Sequence, residues 1–548
     1  MKNKKFLTIS ILTIIIAIAA FFRLWKLDTI PPGLYPDSAI YGNDAFDSLK
    51  NKDFKVFYPE NNGREGLYMW LLALSFYVFK TSIWSLRIVG AIVGILTVLG
   101  TYLLGKKLFN EIFKNEDKAE ITSLLSSFFL AVSFWHTNFS RIGFRAILVP
   151  FFIVFILYFL FIGIKNKKLI PIIISGIFLG LGFYTYISYR FIVLVLIPLL
   201  IFWFYIYKKQ RLEKKYLFLI FVFLFIAFII ALPIGIYFLN NPSDFFGRAA
   251  GVSVFSQPNP LSSFIRSFLI HLQSFNFQGD FNWRHNFSGD PQLILPIGIF
   301  FIIGIIFCIK TFINYFKNKN YDEAEIYIIL ISWFFSMILP GALSYEGIPH
   351  ALRIIGTIPV VYLFSGLGAY LLFEKIKENF FKTGYKFFLY ISIFILLMGI
   401  VISEFDRYFY KWGQNKEVEN AFSKNYVKIG QFLNSLPDDI EKYVIVNQNG
   451  VPVPFPNGIP MPAQTPIFIE RTEFGKNRAH YILPNDLEKI KIKKDTVFIP
   501  LEYDTRLFSK LDYLFTIGNI KQKDGFSYYE ISLKDIISCP PQTVQTKK

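Results

Sequence analysis

Residues 66–79, GLYMWLLALSFYVF, decide how this chain is threaded. As a helix they would reach only about 21 Å at ~1.5 Å per residue, against a hydrocarbon core of ~30 Å. Five lysine-rich segments make the length matter: 106–118, 165–168, 208–215, 310–319 and 375–386. If 66–79 does not span, all five fall on the side of the N-terminus, and if it spans, all five fall opposite. Cytoplasmic segments carry the excess of Lys and Arg, so the stretch reads as an interfacial or re-entrant helix. The N-terminus is then cytoplasmic and the C-terminus extracytoplasmic.

Outward from that stretch lie apolar runs at about 6–22, 87–105, 120–137, 146–164, 169–187, 191–207, 216–239, 293–312, 324–343, 352–373 and 385–404. They predict a polytopic α-helical membrane protein of about eleven transmembrane helices, consistent with 53% hydrophobic and 19% aromatic residues over 548 positions. Lys2, Lys4 and Lys5 before the first run resemble a secretory signal, but the run is long enough to span and reads as an uncleaved anchor. The net charge of +18 sits between apolar runs, where topology demands it, which sets a nucleic-acid partner aside. Cys308 in an apolar run and Cys539 in the tail lie in environments too different to suggest a bridge.

This topology exposes a second asymmetry. From 138 to 353 the external segments hold Arg141, Arg145, Arg190, Arg248, Arg266, Arg284 and Arg353 and no lysine, whereas the cytoplasmic clusters are almost pure lysine. Charge alone does not select Arg, but a planar five-donor fork matches phosphate oxygens. Snorkelling and helix capping account for several of the seven, leaving two or three for a phosphate. The first external loop (23–86) is acidic and Pro/Gly-punctuated, with Asp37, Tyr41 and Asp44 near its start and Arg64-Glu65 near its end. Asp37 and Asp44 are seven apart and share a face if that stretch is helical. In the large external loop (240–292), residues 261–275 form an amphipathic stretch whose Phe264, Phe268 and Leu272 are expected on the membrane surface. A polar cluster, Gly279-Asp280-Phe-Asn-Trp-Arg284-His285-Asn286, follows it. His350 and Arg353 share a face if a helix starts at Pro349. Tyr184, Tyr186, Tyr189 and Arg190 either stack on a sugar or form an interfacial aromatic belt, the belt being the simpler reading.

After 404 the composition becomes that of a soluble domain. Residues 405–540 predict an extracytoplasmic α/β domain, with a helix over 417–436, strands at 443–446, 467–469, 496–499 and 528–531, an extended Pro-rich loop at 451–466 and a disordered tail at 541–548. There is no internal repeat, no phosphate-binding glycine loop and no Cys/His zinc spacing.

Four short motifs in order on one side, Pro31-Pro-Gly-Leu-Tyr-Pro-Asp37, Gly63-Arg64-Glu65, Ser140-Arg141 and Pro349-His350-x-x-Arg353, resemble the lipid-carrier-dependent glycosyltransferases of the GT-C fold. The nearest group is family 39, with its protein O-mannosyltransferases and aminoarabinose transferases, and the resemblance covers about 1–410. It implies transfer of a sugar from a polyprenyl-phosphate-linked donor to an acceptor hydroxyl on a protein, lipid or glycan at the outer face of the cytoplasmic membrane. In that family a first-loop acid acts at the acceptor, commonly followed by a second acid. Here the pair is Asp37-Ser38, which weakens a two-carboxylate metal site while leaving a general base.

Glycosyl-phosphate cleavage places positive charge on the sugar and negative charge on the leaving phosphate. A carboxylate can take the acceptor's proton while Arg forks stabilise the phosphate. Asp37 is the expected base. Arg353 and His350 lead as phosphate ligands, followed by Arg64, Arg141, Arg284 and His285. Asp44, Glu65, Tyr41 and Tyr186 are candidates for acceptor or sugar binding. No cofactor is required; a divalent metal is compatible but not favoured. The rival classes are a transporter or flippase of lipid-linked saccharides, which predicts charges within spans, and a non-catalytic membrane receptor, which leaves the acidic loop and external arginines unexplained.

Overall fold

Apolar runs of twenty residues or more become helices because only a helix satisfies every backbone polar group within one segment in lipid. The computed structural model describes residues 2–382, 386–453, 458–516 and 518–533. It divides into two units: Met1–Ile30, Phe54–Leu71 and Arg87–Val418 form one, and Pro31–Asp53, Leu72–Leu86 and Glu419–Lys548 the other. The α/β unit therefore does not begin at 405; it also takes in part of the first loop. Cys539 and the predicted tail lie outside the described residues.

In chain order, α1 (Lys2–Leu24) leads to α2 (Pro36–Asn51), to a hairpin of β1 (Phe57–Tyr58) and β2 (Arg64–Glu65), and to α3 (Leu67–Phe79). Then come α4 (Ile83–Phe113), α5 (Glu116–Val132), α6 (Phe134–Arg141), α7 (Leu148–Asn166), α8 (Leu169–Gly182), α9 (Ile192–Lys209) and α10 (Glu213–Asn240). Two shorter helices, α11 (Pro242–Gly251) and α12 (Pro260–Gln273), precede α13 (Leu295–Lys317), α14 (Tyr321–Ala342), α15 (Ile358–Lys382) and α16 (Lys386–Phe405).

Among the described residues, nine helices are long and apolar enough to cross a membrane: α1, α4, α7, α9, α10 and α13 to α16. The chain is a multi-pass membrane protein. The remaining two of the eleven expected spans are helical but shorter. The run at 120–137 is cut where the Ser133 side chain accepts the His136 N–H and starts α6, and the run at 169–187 ends at Gly182. α3 has thirteen residues, about 20 Å of helix, in keeping with a segment that does not span.

The helix expected from Pro349 is absent: Arg353 N–H donates to His350 O in a turn, and α15 begins only at Ile358. On α12 the exposed stripe is Leu261, Ile265 and Leu269, one position removed from the stripe expected. Phe268 instead meets the Phe335 ring of α14.

α17 (Lys416–Ala421) contains the point where the first unit ends, at Val418, and is separated from α18 (Lys424–Ser435) of the second unit at Ser423, which adopts a positive φ. α18 precedes β3 (Glu441–Ile445), α19 (Gln464–Phe474), β4 (His480–Ile482), β5 (Thr496–Pro500), α20 (Thr505–Leu514), β6 (Gly518–Lys523) and β7 (Phe526–Ile531). The sheet order is β4-β3-β5-β7-β6, with β3 parallel to β4 and β5, and β7 antiparallel to β5 and β6. Period-two alternation divides β5 between two cores: Val497 and Ile499 join residues of α18 and α19, while Phe498 packs with Leu507 and Leu511 of α20.

The predicted strand at 467–469 is wrong. Those residues lie inside α19, which ends at Gly475 with φ 62° as a left-handed cap. α2 belongs to this unit and docks on α19: Asn43 Nδ2 donates to Gln464 Oε1 at 2.9 Å, and Arg471 Nη1 to Asp47 Oδ2 at 3.1 Å. Gly33, at φ +83°, allows the preceding turn to pass the backbone of Phe422, whose carbonyl oxygen a Cβ would meet at 2.4 Å.

Candidate functional site

Two loops of the membrane unit build a polar centre, one between α12 and α13 and the other between α14 and α15. The first closes on itself: Gly279 N–H donates to Gly289 O at 3.2 Å, and Gly289 N–H to Asp280 O at 3.0 Å. A Cβ on Gly279 would lie 2.2 Å from Asp290 O, so the closure needs glycine there. Asn286 fills the interior, donating to Asp280 O and Asp290 O. The loop is fastened outside itself by Asn138 Nδ2 on Arg284 O at 2.8 Å and Trp412 Nε1 on Trp283 O at 2.9 Å.

Asp280 is the hub. Its Oδ1 accepts the Asn282 N–H at 2.8 Å, and its Oδ2 accepts the Ala351 N–H at 2.8 Å. The same Oδ2 lies 3.0 Å from His285 Nδ1 and 3.9 Å from His350 Nδ1. The two imidazoles stand 4.8 Å apart between ring centres. Behind them His271 is buried, and burial, against its bond with the Ser267 carbonyl, lowers its pKa to about 4. The neutral ring fits its contacts: Nδ1–H donates to Ser267 O at 2.8 Å, while Nε2 accepts the His350 N–H at 3.1 Å. Arg353 donates from Nη1 to Glu346 O at 2.6 Å and lines, with Asp280, Asn282 and His350, a cavity of about 310 Å³. A fixed carboxylate, an imidazole and a guanidinium at one opening, with a second imidazole buried behind the carboxylate, can bind an anion and move a proton. The ligand atoms of Asp280, His285 and His350 lie within 4.8 Å of one another, and a carboxylate with two imidazoles is a donor set that a zinc-like ion accepts.

The residues expected from the sequence separate into three groups. Arg353, His350 and His285 meet at this centre, and Arg284 lies in the same loop, its N–H and Nε–H both on Asn282 Oδ1. Arg64 and Arg141 go elsewhere. Arg64 is buried, bonded to Glu60 O and Glu60 Oε2. Arg141 is fully buried and donates to the carbonyls of Phe22, Trp25, Lys26 and Ile30, where α1 ends. Glu65 is also closed off, its carboxylate 3.2 Å from Arg145 Nε and 3.8 Å from Arg190 Nη2, with the Arg145 guanidinium over the Tyr186 ring. The third group belongs to the other unit. Asp37 lies in the first turn of α2 after Pro36, half-buried, and Asp44 follows two turns later on the same helix, with Tyr41 buried between them.

Sequence reasoning named Asp280 within the 279–286 cluster without giving it a role, and passed over His271. A scarcity signal pointed to His271: the chain has five histidines, and His271, His285 and His350 converge here from separate segments.

The membrane helices and their appended mixed sheet define a fold of the GT-C type. A family model described as dolichyl-phosphate-mannose-protein mannosyltransferase matches residues 67–237. Two solved structures share the architecture over almost the whole chain. ArnT from Cupriavidus metallidurans in the apo state is 11% identical, with a TM-score of 0.55, covering 97% of this chain and 99% of that one. The same protein bound to undecaprenyl phosphate is 13% identical at a TM-score of 0.53, with the same coverage. The oligosaccharyltransferase AglB from Archaeoglobus fulgidus, in complex with an inhibitory peptide and a dolichol-phosphate, gives 15% identity and a TM-score of 0.47, which adds nothing to the fold assignment. The alignment covers 81% of this chain and 62% of AglB. No curated protein matches the chain in sequence.

Proposed function

We propose that this protein transfers a sugar from a polyprenyl-phosphate-linked donor to an acceptor hydroxyl at the outer face of the cytoplasmic membrane. The observation that carries the reading is the opening lined by Asp280, His350 and Arg353, where a guanidinium and an imidazole converge at the ends of apolar helices. Arg353 and His350 hold the donor phosphate, and Arg284 and His285 support them. As the glycosyl–oxygen bond breaks, the developing phosphate charge is met by donors already in place, which costs no reorganisation. Asp280 fixes His285 by hydrogen bond and holds the Ala351 N–H, and so the loop that carries Arg353. Asp37, at the N-terminal turn of α2, is the base that takes the acceptor proton, a role worth about 10²- to 10⁴-fold in rate.

The lysine-rich ends of the helices are cytoplasmic in this reading, and the α/β unit is extracytoplasmic. A divalent ion on Asp280, His285 and His350 is compatible with it, and activity after chelation and re-addition of zinc or manganese is the check. The main test is transfer by the purified protein from radiolabelled polyprenyl-phosphate sugars to a membrane acceptor fraction. Wild type should transfer at least one sugar. Asp37→Asn should lose transfer while retaining donor binding, and Arg353→Ala should lose donor binding. No transfer across a broad donor set would sink the reading, and full activity of Asp37→Asn would remove the base.

A further inference from the structure

At the lysine-rich end of the membrane unit, α9, α13 and α14 enclose an apolar groove of about 660 Å³. Its walls carry Pro198, Phe202, Tyr205, Phe316, Ile328 and Ser332. Pro198 lies inside α9, where a proline removes one backbone hydrogen bond and prevents a straight, closely packed wall. No residue of the polar centre lines this groove.

Its dimensions and charge say what covers it. From Pro198 to Lys208 along α9 is ten residues, about 15 Å of helix, half of a ~30 Å hydrocarbon core. From Ser332 back to Tyr321 along α14 is again about 16 Å. The groove therefore has the depth of one leaflet and begins where the helices leave the membrane. At that end stand the exposed cations Lys208, Lys209, Arg211, Lys317 and Lys319, against the acids Asp322 and Glu323. Lys209 is paired with Asp322 at 3.1 Å, which leaves a net positive rim. Exposed Tyr205 meets the Tyr321 ring at 5.7 Å where the apolar wall ends, the level at which aromatic rings sit between tail and head group.

We propose that the groove is a binding site for an anionic glycerophospholipid of the lysine-side leaflet. One acyl chain lies along Phe202, Ile328 and Ser332, and the phosphate meets Lys208 and Lys317. A polyprenyl chain, many times longer than the groove, is a poor match for a cavity one leaflet deep. Juxtamembrane lysines near an anionic head group each favour it by enough that two of them give selectivity on the order of tenfold.

The test is native mass spectrometry of the full-length protein, released from detergent after equilibration with equal amounts of phosphatidylglycerol and phosphatidylcholine of the same chains. Phosphatidylglycerol should be retained about tenfold over phosphatidylcholine. Lys208→Gln with Lys317→Gln should bring that ratio close to one without lowering total retention. Ser332→Trp should lower retention of both lipids by filling the groove; Ile331, beside it on the same wall, gives the second filling variant, Ile331→Phe, if the first does not accumulate. Equal retention by wild type, or an unchanged ratio in the double lysine variant, overturns the proposal. So does recovery of a polyprenyl phosphate or a second copy of the chain in place of the phospholipid.

Discussion

Arg141 and Arg353 read alike in the sequence, as external arginines beside the ends of apolar runs, and the fold uses them in opposite ways. Arg141 is fully buried, its Nη2 2.7 Å from Trp25 O and 2.8 Å from Ile30 O, and its Nη1 3.0 Å from Phe22 O. Its planar fork collects the carbonyls that α1 and the turn after it leave without intrahelical partners. Burial lowers its pKa by stripping water from the cation, and the carbonyl oxygens around it offset part of that cost by accepting its N–H groups. Arg353 gives Nη1 to one carbonyl and borders an open cavity. A guanidinium that borders a cavity is placed to meet a ligand, whereas one packed against the end of a helix is not, and that difference does not depend on the residue's own identity.

The largest expected effect breaks this comparison outright if it fails. Arg141→Ala takes its donor from the buried carbonyls of Phe22 and Ile30 and the half-buried one of Trp25, and unsatisfied groups at ~1–3 kcal/mol each make a loss of about 3–5 kcal/mol or no accumulation the expected outcome. Arg141→Lys should recover only part, because an ammonium has three donors and no fork. Arg353→Ala should melt close to wild type and lose transfer by about 100-fold, as removal of one preorganised donor does. Thermal unfolding in detergent beside the transfer assay separates the two. A normally melting but inactive Arg141→Ala would place both arginines in one functional class.

Glu65→Gln comes next. Its carboxylate is buried between Arg145 and Arg190, and breaking a buried pair by removing one charge costs about 3–4 kcal/mol. Loss of melting temperature matched by loss of activity marks it as a clamp of the β1–β2 hairpin, the Arg141 kind of role. Unchanged melting with a raised acceptor KM would return it to the ligand-facing group.

The overall class was legible because its cause is local. Apolar runs, lysine-rich connectors and the break in composition after 404 follow directly from burying backbone in lipid. The count of spans was less so, since a single serine at 133 stops α5 by capping α6, a detail that hydropathy averages away. The residues 467–469 have strand composition but lie in a helix, because Pro466 enters its first turn and Gly475 caps its end. At the polar centre, His350 and Arg353 were readable as a pair, whereas Asp280 was not. Its importance comes from a carboxylate 71 positions away accepting the Ala351 N–H, a contact that no spacing in one segment encodes. Asp37 and Asp44 do fall on one helix, as their seven-residue spacing allows.

The smallest effect sharpens the comparison by softening only one side of it. His271 holds the His350 N–H through Nε2, and burial keeps its pKa near 4, below the ordinary value of about 6.5. Its bond with the Ser267 carbonyl and the charge of Asp280 raise it, while Arg353 lowers it. Above pH 6.5 neither folded nor unfolded chain binds the proton, so stability does not depend on this ring. Between 6.5 and 4 the unfolded chain takes up the proton and the folded one does not, so stability falls as pH falls, by roughly 3 kcal/mol in full. A proton on Nε2 would also face the His350 N–H with a second donor and loosen the segment that carries Arg353. Melting temperature should therefore decline from pH 6.5 to 4 with a one-proton slope that His271→Gln removes. Over the same range an Arg141-anchored probe on α1 should not move. If His271→Gln leaves the slope intact, the ring is not the group that titrates, and the cleft arginine is held by something other than this histidine.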